Sequence, residues 1–185
     1  MKEKNQKLLL HACCAPCLTS SEAQTHTKYD VLPFWYNPNI EPIEEHDKRK
    51  AEYIKFIGLK EYCDESSYDY LKENKEWHRI IDGLEKEPEG EKRCQRCIEF
   101  RLRKTAEFAK CQGVGLFSTT LSISPHKNLK MIYDAGAKNS STKCDYERFD
   151  FKKNDGYKRS IELSKEFDLY RQSYCGCAYS IREKK

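Results

Sequence analysis

Residues 8–17, LLLHACCAPC, constrain the fold more than any other stretch of this chain. The three leucines are typical of a short buried strand, and a turn with three thiols follows them at once. In an open α/β sheet, ligands bind in the crevice outside the carboxyl ends of the strands. One cysteine after such a strand is usually core packing. Three thiols within five residues instead favour a chemical site at Cys13, Cys14 and Cys17.

Length and charge predict one soluble domain. We expect a single domain over residues 1–185, with a core at 7–180 and short basic tails at both ends. The net charge of +4 allows a polyanionic partner such as RNA, although a mixed-sign surface also serves solubility. The apolar run at residues 8–10 is too short for a signal peptide, and no stretch approaches the roughly 20 apolar residues of a membrane span. We therefore expect a cytoplasmic protein with no membrane partner.

The apolar patterns predict alternating strands and helices. Strands are expected at 8–10, 30–36, 60–63 and 116–118, and helices within 19–27, from Pro42 to Gly58, from Ser66 or Ser67, from Cys94, from Ser124 to Gly136, and at 155–167. The inward faces are predicted to carry these residues in turn: Ala51, Ile54 and Ile57; Leu71, Trp77, Ile81 and Leu84; Ile98, Leu102, Thr105 and Ala109; Tyr157, Ile161 and Ser164 or Phe167. This order favours an α/β fold with a mainly parallel, helix-covered sheet.

Seven of the ten cysteines fall into three groups with short internal spacings. The groups are Cys13-Cys14-x-x-Cys17, Cys94-x-x-Cys97 and Cys175-x-Cys177. The cytosol keeps thiols reduced, so metal ligation or redox chemistry is favoured over structural disulfides. Two CxxC pairs are compatible with structural zinc, but adjacent cysteines diverge and suit two irons of one [4Fe-4S] cluster better.

The pair Cys175-Gly176-Cys177 differs in kind from the other two groups. With one residue between the thiols, a disulfide would be strained and easily reduced, which suits electron exchange. A further pair of metal ligands is the alternative. Cys63, Cys111 and Cys144 stand alone in the sequence and are interpreted as ordinary thiols.

A hydroxyl-rich stretch before the predicted helix at 124–136 allows two interpretations. Ser124 and Pro125 are suited to the N-cap and first position of a helix. His126 and Lys127 would then lie in its first turn, where a phosphate could bind. An ordinary capped helix explains the pattern equally well.

Several separated motifs together resemble one enzyme family. LLLHACCAPC, RCQRC, FSTTLSISPHKN, GYKRSIELSKEFDLYRQ and YCGCAYS occur in this order over nearly the whole chain. They are similar to those of the QueH family of epoxyqueuosine reductases. The resemblance implies an oxidoreductase that removes the epoxide oxygen of epoxyqueuosine as water, the last step of queuosine synthesis, without cobalamin. It also implies a fold similar to the HUP-type sheet of tRNA-thiolating enzymes.

The resemblance also implies cofactors and residue roles. Cys13, Cys14, Cys94 and Cys97 would hold a [4Fe-4S] cluster, and Cys175 and Cys177 would form a redox-active disulfide. Family members are also described with one additional mononuclear iron. Near that iron some carry Asp where this chain has Cys17, which makes Cys17 a further catalytic candidate.

The implied substrate is tRNA with a GUN anticodon (aspartate, asparagine, histidine or tyrosine) that carries epoxyqueuosine at the wobble position. An unidentified donor supplies the electrons. A modified base must leave its stack to reach a buried metal, and aromatic and basic side chains would hold it. The candidates for this contact are His126, Lys127, Tyr157, Lys158, Arg171 and Tyr179.

Two alternatives to the reductase remain at the level of sequence. A tRNA-thiolating enzyme would carry a Ser/Gly-rich pyrophosphate loop after the first strand, where this chain has HACCAPC. A non-catalytic zinc-stabilised RNA-binding module would need only four of the thiols. Metal analysis separates the module from the reductase.

Overall fold

Four parallel strands form the centre of the molecule. The structure, a computed structural model, describes residues 6–64 and 66–181. Its strands are β1 (Gln6–Ala12), β2 (Tyr29–Trp35), β3 (Leu116–Thr119) and β4 (Asp145–Tyr146). They are ordered β2-β1-β3-β4, with every neighbouring pair parallel. The carboxyl ends of β1, β2 and β3 therefore meet at one edge of the sheet.

Within the described residues, six α-helices cover the sheet on both faces. They are α1 (Ala15–Thr25), α2 (Ile43–Leu59), α3 (Tyr70–Ile81), α4 (Lys92–Cys111), α5 (Leu129–Asn139) and α6 (Gly156–Glu166). Alternate residues of β1 enter two different hydrophobic clusters: Leu9 packs with Trp77 and Leu102, whereas Leu10 packs with Trp35 and Phe56. A strand that is buried on both faces has a continuous apolar sequence, which explains the three leucines at residues 8–10. The predicted single-domain α/β fold with a parallel sheet is confirmed.

The first helix begins earlier than predicted. It starts at Ala15, directly after the adjacent thiols, and ends at Thr25. Pro16 occupies the first turn, where its missing N–H costs nothing. The Cys14 side chain caps the helix by accepting a hydrogen bond from the Cys17 backbone N–H. The thiols thus belong to the helix N-terminus rather than to a free turn.

The segment between α2 and α3 departs from prediction. Residues 60–63 form a turn and irregular backbone instead of a strand. Asp69, not Ser66 or Ser67, caps α3 by accepting a hydrogen bond from the Lys72 N–H. Ser66 is buried and accepts a hydrogen bond from the Trp35 N–H at the end of β2. Tertiary bonding therefore decided the role of this serine.

The predicted inward faces of α2, α3 and α6 were partly wrong. On α2, Ala51 and Ile54 are exposed, because Tyr53 and Phe56 face the core. On α3, Leu71 is exposed whereas Trp77 and Ile81 are buried. The predicted inward face of α4 is confirmed, since the four residues named for it are all buried: Ile98, Leu102, Thr105 and Ala109.

Helix α6 is buried through its small residues rather than through its large ones. Gly156, Ser160 and Ser164 face inward, whereas Tyr157 is exposed. The inward face lies against α1, and small side chains allow two helices to approach closely. An apolar-periodicity rule misses this kind of face because it searches for large residues.

Helix α5 starts later than predicted. Thr120–Ile123 forms a short 3-10 helix, and Asn128, not Ser124, caps α5. The Asn128 side chain accepts hydrogen bonds from the backbone N–H groups of Lys130 and Met131. His126 and Lys127 consequently lie in the loop before the helix, so the predicted Ser124 cap and the placement of both residues in a first helical turn were wrong.

Short basic tails were predicted at both ends of the chain. The basic tails predicted outside residues 7–180 lie largely outside the described residues. Among the helices within 6–64 and 66–181, none combines the length and apolar character needed to cross a bilayer.

Candidate metal centre and cleft

A cleft of about 280 Å³ opens at the carboxyl edge of the sheet. The residues after β1, β3 and the C-terminal segment meet there, as a parallel sheet requires. Its lining includes Cys13, Cys14, Cys17, Arg101, Lys127 and Cys175. The predicted site at the end of the first strand therefore lies in this cleft.

Three cysteines form the tightest group of sulfur atoms in the cleft. The Sγ atoms of Cys13, Cys14 and Cys17 all lie within 4.8 Å of one another. Two thiolates on one tetrahedral ion, at metal–sulfur distances of about 2.3 Å, are about 3.8 Å apart. The donor set consists of soft sulfur atoms, which select zinc, copper(I) or iron over magnesium or calcium. These residues therefore fit a soft metal ion.

Hydrogen bonds distribute negative charge unevenly within this group. The Cys14 sulfur accepts hydrogen bonds from the Cys13 and Cys17 thiols, which lower the pKa of Cys14 well below its ordinary value. The bond from Cys13 to Cys14 raises the pKa of Cys13 to about 11, and both neighbours raise that of Cys17. Cys14 also caps α1, where the helix dipole favours negative charge. Of the three thiols, Cys14 has the surroundings that most favour the thiolate.

Thr120 fixes the position of Cys13 across the sheet edge. Its Oγ1 donates a hydrogen bond to the Cys13 sulfur at 3.2 Å and accepts one from the Cys13 N–H at 3.0 Å. Thr120 belongs to the short 3-10 helix that directly follows β3. The parallel pairing of β1 and β3 therefore brings the two residues together.

The second cysteine pair lies on α4. Cys94, Cys97 and Arg101 are spaced i, i+3 and i+7, which places them on one face of the helix. The two cysteines line a small chamber next to the cleft, together with Cys177. The chamber and the cleft share the side chains of Arg101, Lys127 and Cys175. The structure thus brings all three cysteine groups into one region.

Arg101 is the buried cation at this junction. It is 3% exposed and donates a hydrogen bond to the Asn37 Oδ1 at 3.3 Å, while its Nε has no partner among the described residues. Burial alone would lower its pKa, but attraction to the ionised forms of nearby cysteines raises it above the ordinary value. The cysteines that contribute are Cys97, Cys175, Cys13 and Cys94. One guanidinium therefore compensates charge from all three cysteine groups.

The C-terminal thiol pair is held by the start of α2. Buried Arg49 donates hydrogen bonds to the carbonyl oxygens of Cys175 and Tyr174, and its other side is paired with Glu45 at 2.7 Å. The Gly176 carbonyl accepts a hydrogen bond from the Glu41 N–H at 2.9 Å. The turn carrying the pair is therefore ordered by backbone contacts, and its sulfur atoms remain available for chemistry.

The predicted substrate contacts divide into two sets. His126, Lys127, Tyr157 and Arg171 line the cleft. Tyr179 lies elsewhere, beside Trp77 and the guanidinium of Arg93. Lys158 is exposed and does not line the cleft. Whether any of these residues touches a substrate remains a prediction.

Sequence reasoning missed several residues of the site. Arg101, Thr120, Asn37 and Arg49 were not among the candidates. The spacing from Cys94 and Cys97 could have identified Arg101, because all three share a helix face. Arg49 had no such signal, since its buried position follows from a contact about 125 residues further along the chain.

The chain matches one family model over nearly its whole length. The model of "Epoxyqueuosine reductase QueH" matches residues 8–183. The chain belongs to the QueH family. The predicted resemblance is thereby confirmed, and membership identifies the protein as an oxidoreductase.

Curated QueH relatives cover the chain almost completely. The epoxyqueuosine reductase QueH of Streptococcus pyogenes is 39% identical over 95% of this chain and 70% of its own length. The QueH protein of Acinetobacter baylyi is 38% identical over 99% of this chain and 84% of its own. That of Thermotoga maritima is 37% identical, covering 96% of this chain and 92% of its own. The thiol-lined cleft thus lies within the part shared with these relatives.

Proposed function

We propose that this QueH chain reduces the epoxide of epoxyqueuosine to the cyclopentene of queuosine in tRNA. The convergence of three cysteine groups on the cleft and its adjoining chamber carries the proposal, because the reaction needs two electrons at a confined site. The expected substrates are the tRNAs with GUN anticodons, which decode aspartate, asparagine, histidine and tyrosine codons. Family membership supports the reaction, and the cleft supports its location.

The proposed cofactor is a [4Fe-4S] cluster with one additional iron. Cys13, Cys14, Cys94 and Cys97 would hold the cluster, and Cys17 would contribute to the additional iron beside Cys13 and Cys14. The close sulfur atoms at the start of α1 support a metal there. When bound, iron and sulfur supply electrons one at a time and Lewis acidity toward the leaving oxygen.

The charged side chains that line the cleft have a role separate from that of the cofactor. The epoxide gains two electrons and two protons to give an alkene and water, so negative charge develops on its oxygen. Arg101 and Lys127 are buried cations that line the cleft. In a site with little water, such fixed charges stabilise developing negative charge strongly. We assign this electrostatic role to both residues.

The mouth of the cleft is suited to an unstacked base. Tyr157 is about one-third exposed, and the Arg171 guanidinium lies 5.9 Å from its ring centroid. Arg171 is itself anchored to α6 through bonds to Ser160 and Ser164. A rigid aromatic ring beside a fixed cation offers stacking and phosphate contact to a flipped nucleotide. We propose that the modified base enters here.

An anaerobic assay tests the proposed reaction. The reconstituted chain is incubated with epoxyqueuosine-containing tRNA and a low-potential reductant, and the nucleosides are identified by mass spectrometry. We expect conversion to queuosine by the wild type and a loss of at least a hundredfold in Cys94→Ser. Cys111→Ser is the matched control, because Cys111 is an exposed thiol at the other end of the same helix.

Metal analysis of the same preparations tests the cofactor. Brown protein with about four or five irons per chain is expected from one cluster plus one iron. Colourless protein with one zinc would support the RNA-binding module and contradict the reductase. Full activity of Cys94→Ser would also contradict the proposed ligand set.

A further inference from the structure

Lys127 makes a direct contact with one thiol of the C-terminal pair. Its Nζ donates a hydrogen bond to the Cys175 Sγ at 2.9 Å. The side chain is only 10% exposed, and the Glu89 carboxylate lies 3.6 Å from the same nitrogen. A lysine committed to these two partners differs from the freely moving surface lysine expected for a phosphate contact.

The electrostatic surroundings keep Lys127 charged. Burial alone would lower its pKa, but the charge of Cys175, the hydrogen bond to it and the charge of Cys94 raise the pKa above its ordinary value. Lys127 is therefore an ammonium that faces a sulfur atom. A neighbouring lysine charge is a known physical cause of thiolate formation.

The partner thiol Cys177 has a different environment. It is 7% exposed and lines only the chamber, whereas Cys175 lines both chamber and cleft. Burial, followed by the charge of Cys175, raises the pKa of Cys177 to about 11. A hydrogen bond from the Ser180 side chain and the charge of Arg93 lower this pKa without outweighing burial, and no lysine ammonium contacts the Cys177 sulfur within the described residues. The two thiols of the pair are thus not equivalent.

We propose that Lys127, through its contact with the Cys175 sulfur, makes Cys175 the attacking sulfur of the pair and that Cys177 is its buried partner. The assignment deepens the proposed function and rests on it. When the S–S bond forms, the Cys175 thiolate and the Cys177 thiol together release two electrons and one proton. The electrons, that proton and a second proton from solvent convert the epoxide to alkene and water. An external dithiol reductant then reopens the bridge by supplying two electrons.

Site-resolved alkylation tests the assignment without any substrate. The reduced, reconstituted chain is treated anaerobically with iodoacetamide at pH 7, and the rate at each cysteine is read by peptide mass spectrometry. In the wild type, we expect Cys175 to react faster than the more exposed Cys111. Cys177 should react slowest of the three, because it is buried and protonated.

Variants of Lys127 give the expected size of the effect. An opposite charge in contact with a thiol raises its thiolate fraction by about tenfold or more. Without that charge the thiolate is more basic and more nucleophilic, which recovers about threefold of the lost alkylation rate. Lys127→Met should therefore slow Cys175 alkylation by about threefold or more, while Lys127→Arg retains the fast rate. Lys130→Met is the matched control, since Lys130 is exposed and paired with Asp134.

Two results would overturn the assignment. One is equal Cys175 rates in Lys127→Met and wild type; the other is faster alkylation of Cys177 than of Cys175. Should Lys127→Met fail to fold by circular dichroism, the comparison of Cys175 with Cys111 in the wild type decides the question. A chain that shows this alkylation pattern but leaves epoxyqueuosine unchanged would refute the proposed function alone.

Discussion

At the scale of single residues, the site depends on side chains that hold other groups in place. Arg49 and Arg101 are almost fully buried, yet neither is an isolated charge. Arg49 binds the backbone of the C-terminal turn, and Arg101 compensates the thiolates. Breaking a buried charged contact leaves the partner unpaired, which usually costs more than the contact itself contributes. The C-terminal turn depends in a similar way on the backbone conformation of Gly176.

Replacing Gly176 tests this dependence at one position. Its φ of +142° is rarely adopted by residues with a side chain, and an added Cβ would lie 3.1 Å from Ile40 and 3.2 Å from Asn39. We expect Gly176→Ala to lower the free energy of unfolding by about 1–3 kcal/mol, measured by urea denaturation. It should also displace the thiols and slow the reduction.

Gly58→Ala is the control for that substitution. Gly58 lies within α2 and nothing surrounds the position of its added Cβ, so alanine should be neutral or stabilising by up to about 1 kcal/mol. A Gly176→Ala variant as stable as the wild type would show that the C-terminal turn tolerates another conformation.

At the scale of elements, the N-terminal ends of α1 and α4 carry the predicted cluster ligands. Cys13 and Cys14 directly precede α1, and Cys94 and Cys97 lie in the first two turns of α4. A helix N-terminus favours thiolate through its dipole and free N–H groups. Helix α1 is itself positioned by α6, whose Ser160 and Ser164 are buried. The packing of α6 should therefore influence a metal site to which α6 contributes no ligand.

Overpacking the face of α6 tests this coupling. Ser160 is 1% exposed, so Ser160→Leu must push α6 away from its neighbours. We expect a loss of about 1–3 kcal/mol in the free energy of unfolding together with weaker metal retention by the purified protein. The matched control is Glu162→Leu on the exposed side of the same helix, which should keep both properties. Normal metal retention in Ser160→Leu would separate α6 from the metal site.

At the scale of the whole molecule, a bound metal would join distant parts of the chain. The cysteine groups come from α1, α4 and the C-terminal segment, and they meet only in the folded state. A ligand that binds only the native state stabilises it by mass action. Metal binding and folding are therefore expected to be coupled.

Metal removal should reveal this coupling. We expect the melting temperature of the chelator-treated protein to fall by about 5 °C or more relative to the reconstituted protein. Hydrogen exchange should increase in the first turns of α1 and α4. Cys14→Ser should show the lower melting temperature even after reconstitution, and Cys63→Ser, which alters an exposed thiol, should match the wild type. Equal melting temperatures with and without metal would contradict the coupling.

The sequence alone determined the elements whose signals are local. The buried β1, the inward face of α4 and the parallel α/β class follow from periodicity, because these patterns depend on neighbouring residues. Motifs in their order were also enough to indicate the QueH family. The two CxxC-type spacings identified thiols near helix starts, although the sequence predicted the first helix to begin later than it does.

Only the tertiary structure decided which groups lie together. The role of Ser66 beside β2, the burial of Arg49 and the contact of Lys127 with Cys175 depend on residues 31 to 126 positions apart. No periodic pattern encodes such pairs, because they arise where chain segments meet after the sheet has formed. The contact of Thr120 with Cys13 has the same origin, because the parallel strands β1 and β3 end at a common edge.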